Sequence, residues 1–252
     1  MDPTVKGPTV TGASVFRKAA IVAGAGIVVT GCSFFGSSQQ GTTTSGPSAA
    51  SGASQTSAAA TADVISPDKA NSLILPKDDV SQLVGSELDY EGKSSNPGKP
   101  TIDGKESCRS LVAPLTLSLG ESWTTYRNVW LQEAEKTYDH WVSQRVVLYP
   151  KADAAAEAFA SQYPADIRSC TGEVLKSGES SWRETVKDVT SDRAQWADES
   201  LDNGQANGWR CSDEARVIDN LLLSVTVCQR GNSAPAMKAI IDRMVAGATK
   251  SK

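Results

Sequence analysis

The residues with the most specific chemistry in this 252-residue chain are five cysteines, a single histidine and six tryptophans. The cysteines are Cys32, Cys108, Cys170, Cys211 and Cys228, and the last four are spaced 62, 41 and 17 residues apart. Zinc sites want close cysteine pairs, usually with histidine. His140 is the only histidine, so no metal is expected. A serine hydrolase needs a base and a strained nucleophile turn. His140 is the only histidine base on offer, and no G-x-S-x-G sequence occurs. Glu133, Glu135 and Asp139 lie close to His140, but a solvated face explains them better than an acid/base cluster. No pair of carboxylates stands out for glycoside hydrolysis. The stretch from Gly98 to Gly104 lacks the spacing and the following Lys-Ser/Thr of a phosphate loop. The expectation is therefore a non-enzyme without a cofactor.

Cys32 has a different role. Arg17 and Lys18 precede an apolar, small-residue run from Ala19 to Gly31. That length suits a signal-peptide core and is too short for a spanning helix. Val29-Thr30-Gly31-Cys32 then fits the lipobox of bacterial lipoproteins, in which the cysteine sulfur receives a diacylglycerol and the chain is cut before it. An ordinary secretory signal with a chance cysteine is the competing reading. Residues 1–31 thus read as a signal peptide and 32–62 as a tether. From Ser33 the tether is Ser, Thr, Gly, Ala and Gln, too polar and small to repay the entropy of folding. Residues 63–252 are left as one domain. The formal net charge is −4, and loss of the signal removes more cations than anions. Nucleic-acid binding needs the opposite balance. The expected address is the extracytoplasmic side of the cell membrane, held by the lipid.

Export places the remaining four cysteines in an oxidising compartment, where three pairings are open. Val217-Ile218 and Leu221-Leu222 flank Asp219-Asn220, a two-residue hairpin turn. Counting outward from that turn sets Cys211 opposite Cys228, within disulfide reach. Cys108 then pairs with Cys170 by elimination, closing a loop that the chain-entropy account values at roughly 4 kcal/mol. The same register puts Arg216 opposite Leu223 and Glu214 opposite Val225, mixing charge with apolar residues on one side. A bulge or longer turn would shift the pairing by one residue.

The elements that must carry these groups follow from periodicity and punctuation. Ser66-Pro67-Asp68 opens a helix to about Leu75, and Pro76-Lys77-Asp78-Asp79 restarts one to about Val84. Gly92 to Gly104 reads as loop, Glu106 to Val112 as a short helix, and Trp123 to Trp130 as ambiguous. Trp141 to Tyr149 alternates as a strand, with Val142, Gln144, Val146 and Leu148 on one face. Lys151 to Tyr163 is an alanine-rich amphipathic helix, and Pro164-Ala165-Asp166 opens a further turn leading to Cys170. Strands follow near Gly172–Lys176, Trp182–Val189 and Arg193–Ser200, then the hairpin from Gly208 to Arg230. Pro235 starts a last helix with Ala236, Ile240, Met244 and Ala248 in one stripe. Helix, a run of antiparallel strands and a final helix make an α+β fold.

For ligand contact the tryptophans are candidates, because indoles pack on sugars and lipids as readily as in cores. Trp130, Trp141 and Trp196 flank or lie in strands. Arg145 is a charge inside an apolar strand. If the face carrying Ser143, Arg145, Val147 and Tyr149 borders a cleft, Arg145 is placed to hold an anionic ligand, with Tyr149 a further candidate for ligand contact. A surface arginine or an ion pair is the plainer alternative. Gln144 points the other way, as a core hydrogen-bonder.

Several features in order resemble the family of extracellular sensor domains found on the mycobacterial kinase PknH and on mycobacterial lipoproteins carrying this module alone. They are Leu73-Ile74-Leu75 with Leu83-Val84-Gly85, Cys108, Val142-Ser143-Gln144-Arg145-Val146 before Tyr149, Phe159 in the alanine-rich helix, Cys170, and the Cys211–Cys228 hairpin followed by a helix. The resemblance implies a twisted antiparallel sheet packed by helices, two intramolecular disulfides, and a solvent-exposed cleft for a small-molecule, lipid or glycan ligand, without enzyme activity. The expected function is a ligand-binding, sensor-like lipoprotein of the envelope. The alternative is a structural adaptor that docks another envelope protein through an exposed apolar patch.

Overall fold

The computed structural model describes residues 64–250. Cys32 and the segments read as signal peptide and tether lie outside the described residues. Nine strands form one antiparallel sheet in the order β1-β3-β4-β9-β8-β7-β6-β5-β2. They are β1 Tyr90–Ser94, β2 Ile102–Asp103, β3 Thr125–Gln132, β4 His140–Leu148, β5 Val174–Ser177, β6 Ser180–Val189, β7 Arg193–Asp202, β8 Gln205–Ile218 and β9 Leu221–Arg230. The helices are α1 Lys77–Val84, α2 Arg109–Val112, α3 Ala152–Gln162 and α4 Ala234–Lys250, with 3-10 turns at Pro67–Leu73, Glu106–Cys108 and Ala165–Cys170.

Helices cover both sides of the sheet. One side, the α4 face, packs Val142, Val146, Leu148, Leu221, Leu223, Val225 and Val227 against α4, α1 and the first 3-10 turn. The stripe from α4 inserts Met237, Ile240, Ile241, Met244 and Ala248, all buried. The other side, the α3 face, packs Tyr126, Val147, Trp196, Ala215 and Leu222 against α2, α3 and residues 113–119. Side chains alternate between the two faces, so the middle residues of the central strands, 142–148 of β4, 221–228 of β9 and 211–215 of β8, enter one core or the other.

The β8–β9 register is the one counted from the turn: Ile218 pairs Leu221, Glu214 pairs Val225 and Cys211 pairs Cys228. Both disulfides form, Cys108–Cys170 with Cα atoms 5.7 Å apart and Cys211–Cys228 with 3.9 Å. The mixed face needs no bulge. Arg216 bonds Glu214 (2.5 Å) and reaches Asp242 of α4 (2.7 Å), so the helix that covers the charges also supplies their partner. Gln144 is buried and exchanges two hydrogen bonds with the backbone of Leu75, donating to its carbonyl and accepting from its N–H.

Three stretches differ from the sequence expectation. β1 enters the segment expected as loop, and the two-residue β2 lies within it. Gly92 sits opposite Trp130, and a Cβ there would lie 2.0 Å from the indole; the glycine is where an aromatic side chain crosses the strand, not a chain break. Trp123 to Trp130 resolves into β3. β7 and β8 extend beyond the expected ends and meet at Asn203-Gly204, both at positive φ, as a tight hairpin turn requires.

Asn220 joins three parts of the chain. Its Oδ1 accepts from the Ile65 N–H (2.8 Å), and its amide donates to the carbonyls of Ile65 (3.0 Å) and Tyr149 (2.8 Å). All of this is buried. Asn220→Ala is expected to strand three backbone groups and cost about 3 kcal/mol, read as a melting-temperature fall on the order of 10 °C. An unchanged melting temperature would show that the side chain is not the tie described.

Candidate functional site

The α3 face carries the polar residues that the fold leaves without partners. Three rows cross it in register. The first is Gln132, Trp141, Cys228, Cys211, Asp198 and Glu184. The second is Trp130, Ser143, Thr226, Asp213, Trp196 and Val186. The third is Asn128, Arg145, Ser224, Ala215 and Ala194. Charged groups therefore lie between the large apolar core under α3 and a smaller cluster around the Cys211–Cys228 bridge. That cluster holds Trp209, with Tyr138, Trp141 and Trp182 packed on it.

These charges are deep. Glu184 and Asp213 are 0% exposed, Asp198 6% and Arg145 7%. Asp213 accepts from the Thr226 hydroxyl (2.6 Å), and that hydroxyl accepts from Arg145 Nη1 at 3.4 Å. Ser143 donates to Asn128 (2.8 Å). Arg145 also bonds the Tyr126 hydroxyl. Apart from the contact between Glu184 and Asp198 themselves, no protein donor reaches either oxygen of Glu184, Oδ1 of Asp198 or Oδ2 of Asp213, and Arg145 Nε and Ser224 Oγ are buried without partners. Glu184 and Asp198, directly opposite on neighbouring strands, meet carboxyl to carboxyl. Buried groups of this kind cost free energy unless something satisfies them.

Burial sets their titration. It pushes Glu184 up to about 7, with Asp213 adding to the rise and the bond to Asp198 opposing it. Asp198 is raised well above the ordinary carboxylate range by burial and then by Glu184. Asp213 is raised by burial and by Asp198, against the pull of Thr226, Arg145 and Lys187.

The sheet brings together most of the residues singled out in the sequence. Arg145, Tyr149, Trp130, Trp141 and Trp196 belong to one face. Their environments differ. Trp196 is fully buried, donates to the Leu111 carbonyl (3.0 Å) and packs on Tyr163 with ring centres 5.2 Å apart. Tyr149 is buried with its hydroxyl on the Leu119 carbonyl (3.0 Å). Trp130 and Trp141 are half-buried. Glu184, Asp198, Asp213 and Thr226 were not singled out. Their signal was phase: Asp198 alternates with Ala194 and Trp196, and Asp213 with Cys211 and Ala215, so each faces inward.

Two other features carry less. His140 Nδ1 lies 2.6 Å from Glu133, whose carboxylate also takes the Ser86 hydroxyl and the N–H groups of Asp139 and His140. Burial alone would raise Glu133, but these bonds outweigh it and hold the carboxyl low. The arrangement caps the β3–β4 turn. A surface groove of about 770 Å³ follows edge strand β1, lined by Ile74, Leu75, Lys77, Lys93 and Arg127 among others, and holds none of the singled-out residues. Among the described residues no group of His, Cys, Asp and Glu could hold a metal ion, and no helix is long and apolar enough to cross a membrane.

A two-disulfide α+β domain of this kind belongs to an oxidising compartment. The sequence profile of the family described as the PknH-like extracellular domain matches residues 65–246. The chain belongs to that family. It is 26% identical over 201 residues to the serine/threonine-protein kinase PknH of Mycobacterium bovis, covering 71% of this chain and 31% of the kinase. Against the same-named kinase of Mycobacterium tuberculosis H37Rv it is 25% identical over 182 residues, covering 65% and 27%. The chain thus matches under a third of these relatives' length. The crystal structure of the extracellular domain of PknH from Mycobacterium tuberculosis superposes with a TM-score of 0.65 at 21% identity, over 74% of this chain and 98% of that one. It shares the fold.

The acid row gives stability a definite pH dependence. A carboxyl raised on folding binds more protons in the native state than in the unfolded chain. Its contribution is complete below the unfolded value and declines as pH climbs toward the folded one. Glu133 and Asp242, held low, act oppositely and lose their contribution in acid. Stability is expected to peak near pH 5 and fall by about 3 kcal/mol toward pH 8. Glu184→Gln should flatten that fall in denaturant titrations, and a profile that rises from pH 5 to 8 would contradict the burial argument.

Proposed function

We propose that the chain is a membrane-anchored, non-catalytic lipoprotein of the cell envelope whose domain binds a small polar ligand on its α3 face. The observation that carries this reading is the set of partnerless buried polar atoms on Glu184, Asp198, Asp213, Arg145 and Ser224. Once the acids ionise, acceptors outnumber donors there, so the fitting ligand brings hydroxyl or ammonium donors to the acids and an acceptor to Arg145. Trp141 in the first row and Trp130 in the second are half-buried and offer indole surface to a sugar-like or lipid headgroup ligand. The adaptor alternative calls for an exposed apolar patch; the exposed large hydrophobics among the described residues are Val64 at 52% and Val174 at 42%, on separate segments. Membership of an extracellular-domain family and the lipobox at Cys32 support delivery outside the cytoplasm.

The anchor is tested by feeding cells a labelled fatty acid. Label is expected on the wild-type protein and not on Cys32→Ala, which should leave the membrane fraction; label retained by the variant refutes acylation at Cys32. Ligand binding is tested by native mass spectrometry of detergent-extracted protein from mycobacterial envelope. An adduct of discrete mass is expected on the wild type, with occupancy about tenfold lower in Asp213→Asn. Apo protein alone, or equal occupancy in the variant, counts against binding at this face.

A further inference from the structure

The acids of the α3 face are buried, and their charges dictate what would expose them. The cover consists of α2, residues 113–123 and α3. It rests on the sheet through Trp196 bonding Leu111, through the Tyr163–Trp196 ring contact, and through Leu115, which is fully buried at φ 50. Leu115 and Ser118 (φ 53) both occupy the left-handed region, unfavourable for side chains other than glycine. Packing of Leu115, together with the Thr116 bonds to the Ala113 carbonyl, holds this segment in that conformation.

Beneath the cover, Glu184 on β6 and Asp198 on β7 face each other with no donor between them. Two carboxylates in contact in a buried site resist joint ionisation; one proton between them converts the repulsion into a hydrogen bond. The surrounding charges leave little other relief. Asp213 faces the pair from β8, and Arg145 on β4 stands beyond it, linked through Thr226. Tyr163 looks down from the end of α3 onto Arg145, Asp213 and Asp198, and Tyr126 on β3 lies against Arg145. Lys187, on the outer side of β6, acts on Asp213 at a distance. A single guanidinium thus stands against three carboxyl groups. Arg145 Nε and Ser224 Oγ, each at least nine-tenths buried and partnerless, face the same space.

We propose that Glu184 and Asp198 hold one proton between them, and that releasing it to solvent lifts the cover formed by α2, residues 113–123 and α3, so that access to the α3 face is proton-gated. The gating of ligand rests on the binding reading above; the shared proton and the lifting do not. Ionising both carboxyls leaves adjacent buried charges that only water or a cationic, donor-rich ligand can satisfy.

Hydrogen–deuterium exchange on the full chain in detergent, corrected for intrinsic rates, tests the motion. Peptides spanning residues 109–123 and 152–163 are expected to exchange about tenfold faster near pH 8 than near pH 5. Peptides of β9 and α4 should not change. Glu184→Gln, which cannot release that proton, should keep the cover protected at both values. Equal protection in the wild type, or opening that persists in the variant, overturns the gate. Should the variant fail to fold, infrared spectroscopy of the wild type decides the proton: a protonated-carboxyl C=O stretch near pH 6 that bleaches toward pH 8 is expected, and its absence at pH 6 refutes the shared proton. Exchange that follows pH in protein carrying no ligand sinks the binding reading alone. A ligand retained with pH-independent exchange sinks the gate alone.

Discussion

The constraint that governs this domain is that its central strands have no wet side along their middle stretch. β4, β9 and β8 are covered by α4 on one face and by α2, α3 and residues 113–119 on the other. A polar side chain in such a strand enters a core whichever way it points. On the α4 face each is satisfied. Gln144 is held by Leu75, Ser212 by Ser233, Asn220 by Ile65 and Tyr149, and Glu214 by Arg216 and Gln195. On the α3 face Glu184, Asp198, Asp213, Arg145 and Ser224 are left with atoms unpaired. One sheet, built from the same strands, treats its two sides differently. Folding alone gives no reason for that difference, because the α4 face shows that this backbone can satisfy what it buries.

The cost of the α3 face is met close to where it arises. Cys108–Cys170 ties the 3-10 turn before α2 to the turn after α3, so both ends of the cover are joined across a separation of 62 residues. Cys211–Cys228 locks the two strands that carry Asp213 and Thr226 and sits in the same cross-strand row as Asp198 and Glu184. A disulfide limits the unfolded chain and so favours the native state without making any contact better. Both bridges therefore sustain a face that hydrogen bonding leaves short. The pattern fits a site kept for function at the expense of stability.

The fold was legible wherever local chemistry had one solution. Asp219-Asn220 between two apolar pairs fixed the longest hairpin, and the cysteines fell opposite each other as that register demands. Arg145 stood out because it interrupts an apolar strand. The acids did not, for a physical reason. In the run Cys211-Ser212-Asp213-Glu214-Ala215 both acids are buried, on opposite faces, and composition cannot say which has a partner. That depends on α4 supplying Asp242 to Arg216 on one side and α3 supplying no donor on the other. Glu184 stands between Arg183 and Thr185 in a strand with charges in both phases, so alternation was mute. β1 was hidden because Gly92 read as a break, whereas the glycine accommodates an indole from the neighbouring strand.

The direction of the hydrogen bonds on the α3 face also limits what can lie there. Thr226 donates to Asp213, so toward Arg145 its oxygen can only accept. That fixes polarity along the second and third rows: donor at Arg145, acceptor at Asp213. The first row ends in two further acceptors, Asp198 and Glu184. A simple anion would meet Arg145 and be repelled by everything beside it. A simple cation would suit the acids and face the guanidinium. A group with donors at one end and an acceptor at the other matches the whole array, as does a chain of water molecules. Water and such a ligand make the same bonds, which lets one stand in for the other as the cover opens and closes. Arg145 is then less an anchor for an anion than the positive end of a polar track, and its burial follows from that place.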